Sequence, residues 1–457
     1  MSDQENLSYT SVGQDGKIFL PKKDLDEDLI TFKQIESMVS NPAIHHARVM
    51  PDCHAGVGCV IGFTAQLRDK VVPSWIGVDL GCGILTYPLG KLESEFTQKD
   101  FAKIDKNIRE NVPMGTSGNF TIHNKESVTK EDIELMCEQS KKDCELFVEA
   151  YKSKFPDITF EIPPIPDFSY EWLHSKCKKV LISFDRVIKS MGSLGGGNHY
   201  IEMNISKEGV YYVTIHCGSR SFGRAICGHH QGKITKAQCF NWADYHKEER
   251  KLKKLYKKNK EEYEIKRSEM EQKFKEAETN PVNFLMEEKA FDYFYDAILC
   301  NQYAKLNRRV ILRNILNVLN VKYDDSQIIE SVHNYIDFDD FIIRKGAISA
   351  QKDKVCIVSL NMRDGIILCK GKGEEDWNFS CAHGAGRNMS RTDCMRQLKM
   401  SQFEADMSGI YSSSILRETL DEAPRAYKDS KMIIDIIQQS VEIIEQLRPV
   451  LNIKAIT

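Results

Sequence analysis

Hydrophobic and polar positions change rhythm several times along this chain. A polar opening stretch carries one short apolar run, Lys17-Ile18-Phe19-Leu20, which predicts a strand. From Asn41 to Leu89 apolar, β-rich runs alternate with glycines. Residues 59–65 and 74–79 read as strands there, and the glycines between them as turns. Residues 95–190 move to helical spacing, with Ile133, Met136, Cys137, Cys144, Leu146 and Phe147 recurring on one face. Four prolines between Pro156 and Pro166 demand irregular or extended chain. Gly192 to His199 is another glycine-rich block, and it leads to a strand over 210–216.

Residues 247–278 are almost all Lys, Glu and Arg, with Tyr256, Tyr263, Met270 and Ala277 on a seven-residue repeat. Leu252 and Phe274 widen the stripe. The pattern predicts one long amphipathic helix with a thin apolar seam. Such a helix is either a solvated insertion packed on its return helix or an arm that docks RNA or a partner. The return helix is marked by Phe291, Phe294, Tyr295, Ile298, Leu299, Tyr303, Leu306 and Val310. Strands are expected again over 355–358 and 366–369. A closing helix through Met432, Ile433, Ile436, Ile437, Ile443 and Ile444 is expected to end in a short tail, Asn452-Ile453-Lys454. Repeats and low-complexity linkers are absent, and the glycine-rich motifs run from residue 51 to 387. The expectation is one α+β domain over 1–457 built around one site, with a helical hairpin inserted at 235–316.

Composition narrows the classes. The 457 residues are 41% hydrophobic and 28% charged, enough apolar content for a real core. A formal charge of −3 excludes a globally basic nucleic-acid binder but leaves room for a local basic groove. No apolar run reaches the roughly 18 residues that span a bilayer, so no membrane association is expected. Met1 to Asn6 has neither the basic nor the apolar segment of a secretory signal. The 14 cysteines are therefore expected to be thiols in a reducing compartment, cytoplasmic or nuclear. With no C-x-x-C pair among them, most read as small buried hydrophobes.

Four glycine-framed pieces also carry chemistry. Asp79-Leu80-Gly81-Cys82 sets a carboxylate and a thiol three residues apart. With imidazoles, such a pair suits a borderline divalent ion such as Mn²⁺, Zn²⁺ or Fe²⁺ better than Mg²⁺. His54, His199, His216 and His333 lie at strand ends or beside glycines, as an open metal site requires. In Cys381-Ala382-His383-Gly384-Ala385-Gly386-Arg387 small residues leave room at the imidazole, which can serve as base or nucleophile. The arginine can fork a phosphate. His216-Cys217-Gly218-Ser219-Arg220 has the same character.

Taken in order, Met50-Pro51-Asp52-Cys53-His54-Ala55-Gly56, Gly77-Val78-Asp79-Leu80-Gly81-Cys82-Gly83, Gly195-Gly196-Gly197-Asn198-His199-Tyr200-Ile201-Glu202, His216-Cys217-Gly218-Ser219-Arg220 and His383-Gly384-Ala385-Gly386-Arg387 resemble the RtcB family of RNA-splicing and repair ligases. The resemblance runs from about residue 40 to the C-terminus. It implies a mixed β core around a dinuclear metal site. It implies a GTP- and Mn²⁺-dependent ligase that joins RNA 3′-phosphate or 2′,3′-cyclic phosphate ends to 5′-hydroxyl ends, in tRNA splicing or RNA repair. By resemblance, Asp79, Cys82, His199, His216 and His333 hold two Mn²⁺ ions with Cys82 bridging, and His383 takes GMP covalently. Asn198, Glu202, Asn361, Ala385, Gly386, Tyr427 and Lys454 would bind GTP, and Arg220 and Arg387 would grip RNA phosphates. An archease-type activator is a candidate partner. Residues 359–365, Cys381-Ala382 and the long charged segment depart from the family pattern and mark a divergent branch. The competing readings are a dinuclear metallophosphohydrolase acting on RNA ends and a non-catalytic RNA-binding protein.

Overall fold

The computed structural model describes residues 9–21, 25, 28–91, 95–115, 128–238, 242–257, 259–279 and 284–456. Its strands are β1 (Thr10–Val12), β2 (Gly16–Ile18), β3 (His45–His54), β4 (Ile61–Gln66), β5 (Lys70–Val71), β6 (Gly83–Lys91), β7 (Tyr200–Ile205), β8 (Val210–Cys217) and β9 (Leu285–Met286). There follow β10 (Ile329–Val332), β11 (Asn334–Asp337), β12 (Ile342–Lys345), β13 (Ala347–Ser349), β14 (Val355–Asn361), β15 (Gly365–Gly371), β16 (Ser380–Ala382) and β17 (Val441–Ile453). The helices are α1 (Leu29–Val39), α2 (Gln98–Asn111), α3 (Lys130–Lys154), α4 (Tyr170–Lys179), α5 (Phe184–Lys189) and α6 (Arg220–Gln238). They continue with α7 (Trp242–Leu255), α8 (Lys260–Thr279), α9 (Glu287–Leu319), α10 (Arg391–Gln397), α11 (Met400–Asp406) and α12 (Ser430–Ile437).

A six-stranded sheet runs β1-β2-β3-β4-β12-β11, and a seven-stranded sheet runs β10-β6-β8-β7-β17-β15-β14. Strands and helices interleave in an α+β architecture, as the sequence pattern implied. In the larger sheet, strand alternation sorts the chemistry by face. Tyr211, Val213, Ile215 and Cys217 of β8 join a core with Ile311, Leu312, Ile315 and Leu316 of α9. Thr214 and His216, at the alternate positions, are buried polar groups of the other face. The same alternation puts Ile201 and Met203 of β7 in that core and leaves Tyr200 and Glu202 on the site face.

Four expectations change. First, residues 74–79 are not a strand. Pro73–Trp75 is a 3₁₀ turn, and Gly77 (φ 100°) and Gly81 (φ 71°) take left-handed backbone that no strand accepts. The metal-ligand candidates therefore precede a strand, β6, instead of following one.

Second, the charged stretch is two helices and not one. Asn259 accepts from the Glu262 N–H at 3.2 Å, and its Nδ2 donates to the Glu262 carboxylate at 2.8 Å. That is a fresh helix start, so α8 begins where the heptad pattern predicted continuity. Arg267 of α8 pairs with Glu249 of α7 at 3.6 Å. Tyr263 and Met270 are buried. The side chains of Phe274 and Ala277 lie outside the described residues.

Third, the hairpin expected over 235–316 divides unevenly, because α9 crosses the core. Phe291, Tyr295 and Tyr303 sit in one apolar cluster and Ile311, Leu312 and Ile315 in the other. Burying each such side chain is worth about 1.5–3 kcal/mol, so α9 is an anchor of the fold. In α3, Leu146 is exposed although its helical neighbours Cys144 and Phe147 are buried.

Fourth, the closing helix stops at Ile437. Ile443 and Ile444 belong to β17, and Asn452 to Ile453 is its end. Val441 and Leu447 are buried while Glu442 and Arg448 are exposed, a period of two that the isoleucine-rich composition concealed.

Candidate active site

Strand register assembles the site. Gly83 of β6 pairs with Cys217 of β8 and Val332 of β10, and Tyr200 of β7 pairs with His216 of β8. Cys82, His199, His216 and His333 are each within one residue of these pairs, so four strands deliver four donors to one end of the sheet. Asp79 joins them from the turn before β6. The turn is pinned by the Cys82 N–H to the Asp79 carbonyl at 3.1 Å and the His333 N–H to the Cys82 carbonyl at 2.9 Å. Two glycines make room. A Cβ on Gly218 would stand 2.4 Å from the Asp79 carboxylate, and one on Gly81 would stand 2.8 Å from Asn301 of α9.

Two triads of donor atoms result, Cys82–His216–His333 and Asp79–Cys82–His199, each with its atoms within 4.8 Å of one another. Cys82 belongs to both. Its Sγ lies 3.4 Å from His199 Nε2 and 3.3 Å from His216 Nε2. His199 Nε2 is 2.9 Å from Asp79 Oδ2, and the Nε2 atoms of His216 and His333 are 3.2 Å apart.

These residues fit a pair of divalent cations. Asp79 Oδ1 is buried without a hydrogen-bond partner among the described residues, and the Nε2 atoms of His216 and His333 face each other beside the Cys82 thiol. Burial, reinforced by neighbouring imidazoles, holds His216 and His333 well below the usual histidine range, so both are neutral as ligands must be. Burial would raise the Asp79 carboxyl, but His199 holds it at about 2. Burial and then Asp79 push the Cys82 thiol up to about 12, so a metal ion binding there would have to displace its proton. His216 Nδ1 is held by the Asn198 carbonyl at 3.1 Å, which aims Nε2 at the thiol.

His383 stands beside this centre, its ring centroid 4.8 Å from that of His333. His383 Nδ1 lies 2.6 Å from Asp52 Oδ2, and the Asp52 side chain is fully buried. A buried carboxylate accepts a hydrogen bond from Nδ1–H, which fixes the proton on Nδ1 and leaves the Nε2 lone pair free for chemistry.

A cleft of about 1080 Å³ unites these groups. Its lining includes Asp79, Cys82, His216, His333, His383, Asn198, Glu202, Asn361, Ala385, Gly386, Arg387, Tyr427 and Lys454. His199 and Arg220 are not in that lining. Burial raises the Glu202 carboxyl to about 7. Lys454 Nζ donates to Glu422 Oε2 at 3.1 Å and the Gly197 carbonyl at 3.2 Å, and the Tyr427 hydroxyl donates to the same Glu422 oxygen at 2.6 Å. Asn361 closes the β14–β15 hairpin: its Oδ1 accepts from the Arg363 and Asp364 N–H groups at 3.0 Å.

The two arginines expected at RNA phosphates are engaged with protein. Arg220 donates to the Gly115 carbonyl at 2.7 Å and to Ser193 Oγ at 3.2 Å. Arg387 donates to the Asp421 and Met389 carbonyls and pairs with Glu422 at 3.3 Å.

Sequence reading missed two kinds of residue. Asp52 lies within the stretch Met50 to Gly56, where nothing local ties it to His383. Asn307 and Arg308 of α9 went unnoticed, although two polar residues within an apolar helical face were a signal. Arg308 NH1 donates to the Gly81 and Cys217 carbonyls, both at 2.7 Å, and its Nε to Glu330 at 2.7 Å. Asn307 Oδ1 accepts from the Gly192 N–H at 2.7 Å, and Nδ2 donates to the Gly218 carbonyl at 3.0 Å. Together they tie down the chain beside Cys82, His199, His216 and His333. Arg308→Met should cost about 3 kcal/mol, because it strips the half-buried Glu330 carboxylate of one partner and two carbonyls of a buried donor. Urea unfolding would measure this.

A family model described as "tRNA-splicing ligase RtcB" matches residues 34–455. The chain is 26% identical to "RNA-splicing ligase RtcB" of Escherichia coli over 429 residues, covering 90% of each chain. It is 26% identical to "tRNA-splicing ligase RtcB" of Methanococcus maripaludis over 497 aligned positions, covering 93% of this chain and 91% of the relative. To "RNA-splicing ligase RtcB homolog 2" of Entamoeba dispar it is 23% identical, covering 92% and 83%. Among the described residues no helix is long and apolar enough to cross a membrane.

Proposed function

Because the chain belongs to the RtcB family, we propose that it is a GTP-dependent RNA ligase, joining 3′-phosphate or 2′,3′-cyclic phosphate ends to 5′-hydroxyl ends through a covalent His383–GMP. The observation that carries this reading is His383, held by buried Asp52 on one nitrogen and set against two donor triads that share Cys82. A dinuclear hydrolase would use the triads to activate water and would need neither GTP nor a covalent histidine.

In this reading Asp79, Cys82, His199, His216 and His333 hold two Mn²⁺ ions, which when bound supply positive charge beside the reacting phosphates. Asp52 keeps the proton on His383 Nδ1. The Nε2 lone pair forms a bond to the GTP α-phosphorus as the bond to pyrophosphate breaks. A cyclic end is first opened by water, which breaks the bond from phosphorus to the 2′-oxygen; an oxygen of the RNA 3′-phosphate then takes the GMP and frees the imidazole. The 5′-hydroxyl oxygen attacks the activated 3′-phosphorus, GMP leaves, and the hydroxyl proton passes to solvent or a nearby base. Activation is needed because a phosphate monoester lacks a good leaving group. Asn198, Asn361, Ala385 and Gly386 would seat the phosphates and sugar. Glu202, Tyr427 and Lys454 would take the base. Arg387 at the cleft would meet RNA only by exchanging protein carbonyls for phosphate oxygens.

The test is joining of an RNA whose 3′-phosphate is radiolabelled and whose 5′ end is a hydroxyl, with GTP and Mn²⁺. The proposal expects the label to enter a phosphatase-resistant junction only when GTP is present. Hydrolysis of a cyclic phosphate end without GTP, and no joined product, would favour the phosphohydrolase instead.

A further inference from the structure

A row of hydrogen-bonding side chains crosses the seven-stranded sheet, and its last member has an unused acceptor. Strand register sets Thr86 of β6 opposite Thr214 of β8, Thr214 opposite Glu202 of β7, and Glu202 opposite Asn452 of β17. All four are buried, none more than 2% exposed. The Thr214 hydroxyl donates to Asn204 Oδ1 at 2.7 Å. That contact fixes the direction of the Asn204 amide, whose Nδ2 donates to Glu202 Oε1 at 2.6 Å. Asn452 Nδ2 donates to the other oxygen, Oε2, at 2.7 Å. Asn452 Oδ1 is left over: it is buried and has no partner among the described residues. Buried carbonyls without a donor are costly and uncommon. Glu202 and Asn452 both line the cleft, so a ligand there can supply the missing donor.

The chemistry of that donor follows from the acceptors. Glu202 retains a second lone pair on each oxygen after its two asparagine contacts. With Asn452 Oδ1, the site offers three acceptors in a row and no free donor from these residues. A guanine edge presents N1–H and a 2-amino group, three N–H bonds in all. Hypoxanthine keeps N1–H but lacks the amine, and adenine offers an acceptor at N1. Building on the guanylyl-transfer reading above, we propose that Asn452 Oδ1 accepts from the 2-amino group of guanine. Asn452 is then a specificity-determining residue for the nucleotide, acting beside Glu202.

The experiment compares covalent labelling of the full-length protein by α-radiolabelled GTP and ITP in the presence of Mn²⁺, as kcat/KM ratios. The wild-type protein should prefer GTP over ITP by about tenfold or more. Asn452→Val should bring that ratio close to one. Asn452→Thr, which keeps an acceptor on a strand-forming side chain, should retain part of the preference and serves if the valine variant does not fold. A valine variant that loses GTP and ITP use equally would mean that Asn452 only orients Glu202, which overturns the proposal. Equal use of GTP and ITP by the wild type overturns it as well. Absence of label from either nucleotide refutes the guanylyl-transfer reading itself, and the inference with it.

Discussion

Asp52→Asn is expected to slow covalent adduct formation by roughly 10³–10⁴-fold while leaving metal content intact. The Asp52 carboxylate lies 2.6 Å from His383 Nδ1 and is fully buried, so the imidazole has no competing solvent contact on that side. An asparagine at this position can turn its NH₂ toward Nδ1. The ring then carries its proton on Nε2, the nitrogen that must attack phosphorus. The same Asp52 oxygen accepts from the Gly384 N–H at 3.3 Å, so an NH₂ turned to that position gives up this contact as well. The two donor triads do not include Asp52, and their ions should remain. Single-turnover labelling alongside metal analysis separates the two effects. A variant that labels within a few-fold of the wild type would remove the tautomer argument.

The second large effect belongs to Cys82. Because its sulfur is common to both triads, Cys82→Ala should weaken Mn²⁺ binding at both proposed sites together, each by at least about 100-fold. Loss of an orienting partner alone typically costs 10- to 100-fold in affinity, and Cys82 is a direct donor. His333→Ala, by contrast, removes a donor from only one triad and should leave one ion bound. Metal content after equilibrium dialysis at fixed free Mn²⁺ reads both outcomes. Two ions retained by Cys82→Ala would show that the thiol bridges nothing.

Asp79, Cys82, His199 and His216 sit in glycine-framed motifs whose tight turns leave a local signature, whereas His333, in Val332-His333-Asn334, has none and joins the set only through the family resemblance. Asp79, Cys82, His216, His333 and His383 do converge on the cleft, with His199 just behind them. What could not be read was the set of residues that hold those donors in place. Arg308 lies more than 200 positions from Gly81, and nothing local announces that its guanidinium binds that carbonyl. The break at Asn259 was hidden because a heptad count follows apolar residues and ignores a polar cap. At the C-terminus, Ile443 and Ile444 extend a helical isoleucine pattern. The pairing of β17 with β7 and β15 decides the matter, and such long-range contacts override local propensity. That strand carries Asn452 and leads to Lys454, both of which line the cleft.

The proposed chemistry makes His383 the covalent carrier of the nucleotide. The direct measurement is incubation of the protein with α-radiolabelled GTP and Mn²⁺, followed by peptide mapping of the labelled residue. An acid-labile, hydroxylamine-sensitive GMP adduct on His383, absent from His383→Ala, is the result expected. An adduct that persists in His383→Ala, or a wild-type protein that takes no label while joining RNA ends, would contradict it.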